Sequence, residues 1–163
     1  MKFLTILLTT IFASASLQLS QVRKSYTNAA KNEANAEKFA TLLESVTKTD
    51  ANKTLVAYKG CALTLKSKFS NYLPDKISFM KEGAGHIDDA AAADPNNIEI
   101  RMIRLSVQEN VPFIVGYRDN IDEDKAFIAA NYAKTSKETR PFIKNFILQS
   151  ESFTAIEKKK ITQ

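Results

Sequence analysis

Residues that form tight turns are scarce in this chain, because its 163 residues include only four glycines and four prolines. Strands joined by tight turns need such residues at most connections, whereas helix interiors disfavour both. Alanine, lysine, glutamate and leucine, which are good helix formers, are common instead. The composition therefore predicts an all-α fold, and the length suits one domain with its own hydrophobic core.

The N-terminal segment has the three parts of a secretory signal peptide. Met1-Lys2 supplies a positive charge, residues 3–13 form an uncharged apolar run, and Ser14-Ala15-Ser16 supplies small residues for cleavage. A membrane-spanning helix needs about 20 apolar residues, which this run does not reach. We expect residues 1–15 to be removed, with a cut no later than about residue 20, and the protein to be periplasmic or extracellular. The alternative is an uncleaved N-terminal helix.

One cysteine, Cys61, and one histidine, His86, limit the chemistry. A single cysteine cannot form an internal disulfide, and Cys61 lies too far from the expected cut to carry a lipid anchor. A single histidine excludes a histidine metal cluster and a conventional hydrolytic triad, so we expect no metal, no cofactor and no catalytic residue. We interpret Cys61 as a core residue and His86 as a partly exposed helix residue. The alternative is that the two side chains form a thiol–imidazole dyad.

The remaining charged segments have ordinary interpretations. The formal net charge is only +5, which indicates solubility rather than a nucleic-acid partner. Residues 88–89 and 119–124 are acid-rich but lack the ligand spacing of an EF-hand, so we interpret them as charges at helix N-termini rather than as calcium sites. The lysines at 158–160 are interpreted as a solvated helix end, and no stable membrane anchor is expected.

Apolar residues recur every three or four positions, which predicts a single-domain bundle of about six helices over residues 19–160. The helix at 98–110 is the most apolar and is expected to be central. Gly60 falls inside a helix, where glycine costs about 1 kcal/mol relative to alanine, so we expect another helix to approach it closely. The predicted helices are residues 19–48, 53–69, 76–93, 98–110, 120–132 and 139–148, with a short helix from residue 152.

Helix starts are predicted from capping residues. Asp50 or Asn52 is expected to cap the second helix, Asp75 the third and Asp94 the fourth, and residues 120–123 resemble a capping box. The periodicity of the third helix predicts the following inward positions: Ile77, Phe79, Met80, Gly83, Ile87, Ala90 and Ala91.

Two segments resemble one unit of a tetratricopeptide repeat, covering about residues 56–97. The first is Val56-x-Tyr58-x-Gly60-x-Ala62-Leu63, and the second runs from Gly83 through Ile87 and Ala90 to Asp94-Pro95-Asn96-Asn97. The resemblance implies a hairpin of two helices that touch at small residues, with the proline marking the turn to the next unit. The chain as a whole resembles short exported helical proteins of the Bacteroidota, which implies a compartment and a fold but no activity.

Residues 111–117, Val-Pro-Phe-Ile-Val-Gly-Tyr, form a strongly apolar stretch that cannot be a plain helix. We interpret this stretch as a buried connector under the last helices. The alternative is an exposed lip that binds a partner, since exposed apolar patches mark contact surfaces.

The leading hypothesis for function is an exported module that binds an envelope protein or peptide and has no catalytic activity. Phe113, Tyr117 and Tyr72 are the predicted partner-binding residues, because they are aromatic and lie near loops. The rival is an enzyme or small-molecule binder whose site combines scattered acids and tyrosines such as Glu82, Asp89 and Tyr58. A structural protein of the envelope without a specific ligand is a third hypothesis.

Overall fold

A computed structural model describes residues 18–163, so the predicted signal peptide at residues 1–15 lies outside the described residues. This part of the chain contains helices and no strand, which confirms the all-α prediction. Two short 3-10 turns, Phe113–Val115 and Tyr132–Lys134, accompany the α-helices. The helices are α1 (Leu19–Ala29), α2 (Glu33–Leu42), α3 (Lys53–Phe69), α4 (Leu73–Ala93), α5 (Ile98–Asn110), α6 (Ile121–Asn131), α7 (Arg140–Gln149) and α8 (Ala155–Thr162).

The prediction of one helix over residues 19–48 is wrong, because the chain turns between α1 and α2. The Asn32 side chain accepts a hydrogen bond from the Asn35 backbone N–H at 2.9 Å and so caps α2. The Asn35 side chain in turn donates to the Asn28 carbonyl at 3.2 Å. Asparagine often caps helices, and here it ends one helix and begins another without glycine or proline. The apolar stripe of residues 19–46 is therefore shared by two helices that pack against each other.

The glycines of α3 and α4 lie directly against each other. A Cβ placed on Gly60 would lie 2.6 Å from the carbonyl oxygen of Gly83. A Cβ placed on Gly83 would likewise lie 2.6 Å from the carbonyl oxygen of Gly60. Both distances are shorter than real Cβ contacts allow, so these backbones approach closely because neither position has a side chain. The prediction of a close helix contact at Gly60 is confirmed.

The α5 helix is central, as predicted. All of its apolar residues except the half-buried Ile98 are buried, and it contacts α3, α4, α6 and α7. Four of its polar residues are buried as well, so they need partners inside the protein. These residues are Glu99, Arg101, Arg104 and Gln108.

Several predicted helix starts need correction. Asn52 caps α3 as expected, but α4 begins at Leu73 and places Asp75 in its first turn rather than at its cap. Asn97, not Asp94, caps α5 by accepting from two backbone N–H groups. Asn120 caps no backbone group, because its side chain bonds Glu123 and Gln108 instead. None of the helices in residues 18–163 is both long and apolar enough to cross a membrane.

Candidate functional site

The apolar stretch at residues 111–117 projects from the surface instead of filling the core. Phe113 is 89 % exposed and Ile114 is 93 % exposed, so the interpretation as a buried connector is wrong at this tip. These residues form an exposed lip, which is the geometry that the alternative interpretation of the sequence assumed. We call residues 113–115 the apolar lip.

The geometry of the apolar lip is set by its own backbone. Val115 donates to the Pro112 carbonyl at 2.9 Å and Gly116 donates to the Phe113 carbonyl at 3.1 Å, which closes a 3-10 turn. Gly116 has a φ of +72°, in the left-handed region that glycine adopts without strain. Pro112 cannot continue α5, so the chain leaves the helix and turns back within a few residues.

Side chains hold both ends of the lip. The Tyr117 hydroxyl donates to the Asp88 carboxylate on α4 at 2.9 Å, and the Arg118 guanidinium donates to the Val111 carbonyl at 3.1 Å. Burial raises the pKa of Tyr117, and the nearby Asp88 charge raises it further, so the phenol keeps the proton that it donates. The buried Gln108 side chain exchanges two hydrogen bonds with Asn120 on the far side of the loop. The tip is therefore exposed but supported on a fixed base.

A buried charge cluster fixes α6, the helix that follows the lip, against α5. The Asp124 carboxylate is fully buried and accepts from Arg104 Nε at 2.7 Å, from Arg104 Nη2 at 2.8 Å and from Arg101 Nη1 at 2.8 Å. Arg101 also donates to Glu123 at 2.6 Å, and this hydrogen bond, with a second one from Asn120 at 3.2 Å, lowers the pKa of the Glu123 carboxyl. Paired charges of this kind are tolerated inside a protein only when each has its partner.

A second row of apolar side chains, partly exposed, begins at the start of α4. Leu73 is 65 % exposed and Ile77 is 62 % exposed, and Met80 and Ala84 continue the row as partly buried residues. We call these four residues the α4 stripe. The prediction that Ile77, Phe79 and Met80 point into the core is wrong for Ile77 and only partly right for the other two, which are half-buried. Gly83, Ile87, Ala90 and Ala91 are buried as predicted.

The apolar lip and the α4 stripe border an open groove of about 1540 Å³. Its lining is mostly apolar, and residues of α1, α3, α5 and α7 complete it. Tyr26 and Phe142, whose rings pack edge-on with centroids 5.8 Å apart, contribute to the lining. An apolar groove with a few polar groups is the usual form of a binding site.

Basic residues dominate the charge of the groove. Four lysines line it, and none of them forms an ion pair with a carboxylate in residues 18–163. Two glutamates line it as well, but the Glu109 carboxylate is already bonded to the hydroxyls of Ser150 at 2.6 Å and Ser152 at 2.8 Å. The lysines are Lys31, Lys68, Lys76 and Lys81.

The predicted partner-binding residues lie around this groove, but only one of them lines it. Tyr117 lines the groove and is half-buried. Phe113 and Tyr72, 89 % and 64 % exposed, lie beside the lining residues Ile114 and Leu73 without lining the groove themselves. The sequence prediction therefore names residues in the two segments that border the groove, but it does not name Ile114, Leu73 or Ile77 as partner-binding residues.

The residues of the rival hypothesis do not meet in the groove, since none of them lines it. Tyr58 is fully buried and donates to Glu99 at 2.6 Å, and Arg23 bonds the same carboxylate at 2.7 Å. Asp89 is exposed and paired with Lys48 at 2.9 Å, and Glu82 is exposed.

Cys61 and His86 are both buried. The expectation of a partly exposed histidine is wrong, because His86 packs beside Gly60 and its Nδ1 lies 2.9 Å from the Glu82 carbonyl. Burial raises the pKa of Cys61 to about 12, so its thiol stays protonated, and the interpretation as a core residue is confirmed.

The acid-rich segments serve mainly as partners for basic and hydroxyl groups. Asp88 and Asp89 lie inside α4, so the interpretation of that pair as helix-terminal charges is wrong. Asp122, Glu123 and Asp124 do lie in the first turn of α6. No group of three histidine, cysteine, aspartate or glutamate side chains in the described part of the chain is arranged to hold a metal ion.

Comparison with known proteins gives no relative: no family model, no curated protein and no solved structure matches this chain.

Proposed function

We propose that this chain is an exported helical module that binds an apolar segment of another protein or peptide in the cell envelope and has no catalytic activity. The observation that carries the proposal is the exposure of the apolar lip and the α4 stripe on the borders of one apolar groove. Exposed apolar surface of this kind marks contact sites, because leaving it in water is unfavourable. Export rests on the N-terminal sequence pattern.

The fixed base of the lip supports the same proposal. A binding surface that is already held in place loses less conformational entropy when a partner arrives. The hydrogen bonds of Tyr117 and Arg118 provide that support without covering Phe113 or Ile114. The lip therefore combines exposed contact area with a defined position.

The first test is crosslinking in the native host with a photo-reactive residue in place of Ile114. The control carries the same residue in place of Ile156, which is 81 % exposed on α8 and does not line the groove. We expect a reproducible envelope adduct from position 114 that is absent from position 156. A folded, exported protein that gives no adduct at position 114 would contradict the proposal.

A double substitution of the lip, Phe113→Ser with Ile114→Ser, is expected to weaken partner binding about tenfold or more. Burying one large apolar side chain contributes about 1.5–3 kcal/mol, and tenfold corresponds to about 1.4 kcal/mol. Stability should change by less than about 0.5 kcal/mol, because both side chains are exposed. The measurement is the yield of adduct from a photo-reactive residue in place of Val115, which lines the same groove, together with a thermal melt. Ile156→Ser should leave both unchanged.

A further inference from the structure

The α4 stripe has the pattern of a helix face that packs against another helix. Its members are spaced by four, three and four residues, so they lie along one side of α4. Leu73 and Ile77 are nevertheless more than half exposed, and no element of residues 18–163 covers them. The stripe extends over twelve residues, and the eleven steps between its ends span about 16 Å, which is roughly three helical turns.

The groove is large enough to hold a short helix on this face. A helix about 10 Å across and about 16 Å long occupies on the order of 1300 Å³. The groove measures about 1540 Å³ and is apolar on the side of the lip as well, where Ile114 and Val115 line it. A short amphipathic helix laid in an apolar groove is a common form of peptide recognition.

Lysines border the α4 stripe on both sides. At 100° per residue, Lys76 lies about 60° to one side of Leu73 and Lys81 about 80° to the other. Lys68 on α3 and Lys31 after α1 line the same groove, as do Glu151 and Glu109, which two serines hold. The lysine amines of Lys68 and Lys76 donate to backbone carbonyls and keep their charge, so the lining has two more basic than acidic side chains. An occupant with carboxylates beside its apolar face would meet these lysines, and one with basic flanks would be repelled.

We propose that the occupant of the groove is an amphipathic helix of about three turns from a partner protein, apolar on one face and acidic along both edges. This inference rests on the proposed function and adds the shape and charge of the bound segment. The apolar face would pack on the α4 stripe and Ile114, and the acidic edges would meet Lys76 and Lys81.

The test uses two fluorescein-labelled synthetic peptides of about 15 residues with the same leucine face, one flanked by glutamate and one by lysine. Fluorescence anisotropy measures their binding to the full protein at low and at high salt. At low salt we expect the glutamate-flanked peptide to bind about tenfold more tightly than the lysine-flanked peptide. Each exposed ion pair contributes about 0.2–1 kcal/mol, so several of them together reach the roughly 1.4 kcal/mol that a tenfold difference requires. High salt should reduce the difference.

Charge reversal of the groove is the matched experiment. The Lys81→Glu variant, alone and combined with Lys76→Glu, should lose or reverse the preference for the acidic peptide. Lys81 is an exposed residue without a hydrogen bond to residues 18–163, so its single variant should fold even if the double variant does not. Lys38→Glu with Lys137→Glu, two exposed lysines outside the groove, should leave the preference intact.

Three results would overturn the inference. If both peptides bind equally and Lys81→Glu changes neither affinity, the bound helix does not need acidic edges. An adduct from position 114 would still support the proposed function in that case. If neither peptide binds, the proposal that an amphipathic helix occupies the groove is wrong. Binding of phosphatidylglycerol vesicles in place of the peptides, lost in Ile114→Ser, would make a lipid surface the occupant.

Discussion

The Asp124→Asn variant should lose about 3–5 kcal/mol of its free energy of unfolding, the largest effect expected from a single substitution in this chain. The Asp124 carboxylate is fully buried and accepts three hydrogen bonds from Arg101 and Arg104. An amide removes the charge and turns one acceptor into a donor, which then faces guanidinium donors. The two buried arginines lose their fully buried counter-ion and keep the exposed Glu123 carboxylate, 2.6 Å from Arg101 and 3.9 Å from Arg104. Breaking a buried pair in this way is costly.

Urea unfolding followed by circular dichroism measures this loss, and a thermal melt should show a decrease of roughly 10 °C for a chain of this size. The control is Asp122→Asn, two residues earlier in the same helix turn, where the carboxylate is exposed and forms no ion pair within residues 18–163. It should cost less than about 1 kcal/mol, the value of a charge near a helix N-terminus. Unfolding curves that coincide for the two variants would mean that the cluster does not stabilise the fold.

A double variant tests whether the stability lost in Asp124→Asn comes from the Arg104 charge, which then remains buried without the Asp124 carboxylate. Arg104→Gln combined with Asp124→Asn should cost less than the sum of the two single substitutions, because the second change removes a charge that the first left buried. Strict additivity would indicate that Arg104 and Asp124 act independently, despite their contact at 2.7 Å.

The Gly83→Ala variant should lose about 3 kcal/mol, although alanine is the better helix former by about 1 kcal/mol. The added Cβ would lie 2.6 Å from the Gly60 carbonyl oxygen and 2.8 Å from the Thr64 methyl carbon. A backbone carbonyl inside a helix cannot rotate away, so α3 and α4 must separate and lose packing along their contact. The free energy of unfolding from urea titration is the measurement.

Gly85 is the matched control for this prediction, because it lies on the same helix two residues later. A Cβ there meets only the flexible Lys48 ammonium, at 3.1 Å. The Gly85→Ala variant should therefore be unchanged or more stable by up to about 1 kcal/mol. If Gly83→Ala behaves like Gly85→Ala, the close approach of the two helices is not needed for stability.

Local signals in the sequence predicted most of the helices, because a cap or a proline beside a periodic segment acts over only a few residues. Helices α3 and α5 begin and end where the periodicity indicated. The turn between α1 and α2 was missed because Asn32 interrupts the helix without disturbing the apolar spacing on either side. Helix α4 begins three residues earlier than the predicted start at residue 76, because Pro74 lies inside its first turn, where proline is tolerated.

The candidate site was less predictable, because periodicity does not distinguish a buried stripe from an exposed one. Helix α4 carries two apolar rows, and only the row with Gly83 and Ile87 packs in the core. The row with Leu73 and Ile77 has the same spacing but stays at the surface. The buried pairing of Arg101 and Arg104 with Asp124 joins residues 20 or more positions apart, and only the packed fold brings them together.

The burial of Cys61 also determines how the folded protein responds to an oxidising environment. Exchange with disulfides requires a thiolate that a reagent can reach. Cys61 is only 4 % exposed, although it borders the groove, and its pKa of about 12 leaves almost none of the thiol ionised near neutral pH. Mixed-disulfide formation is therefore slow in the folded chain, and it becomes fast when the core around α3 opens.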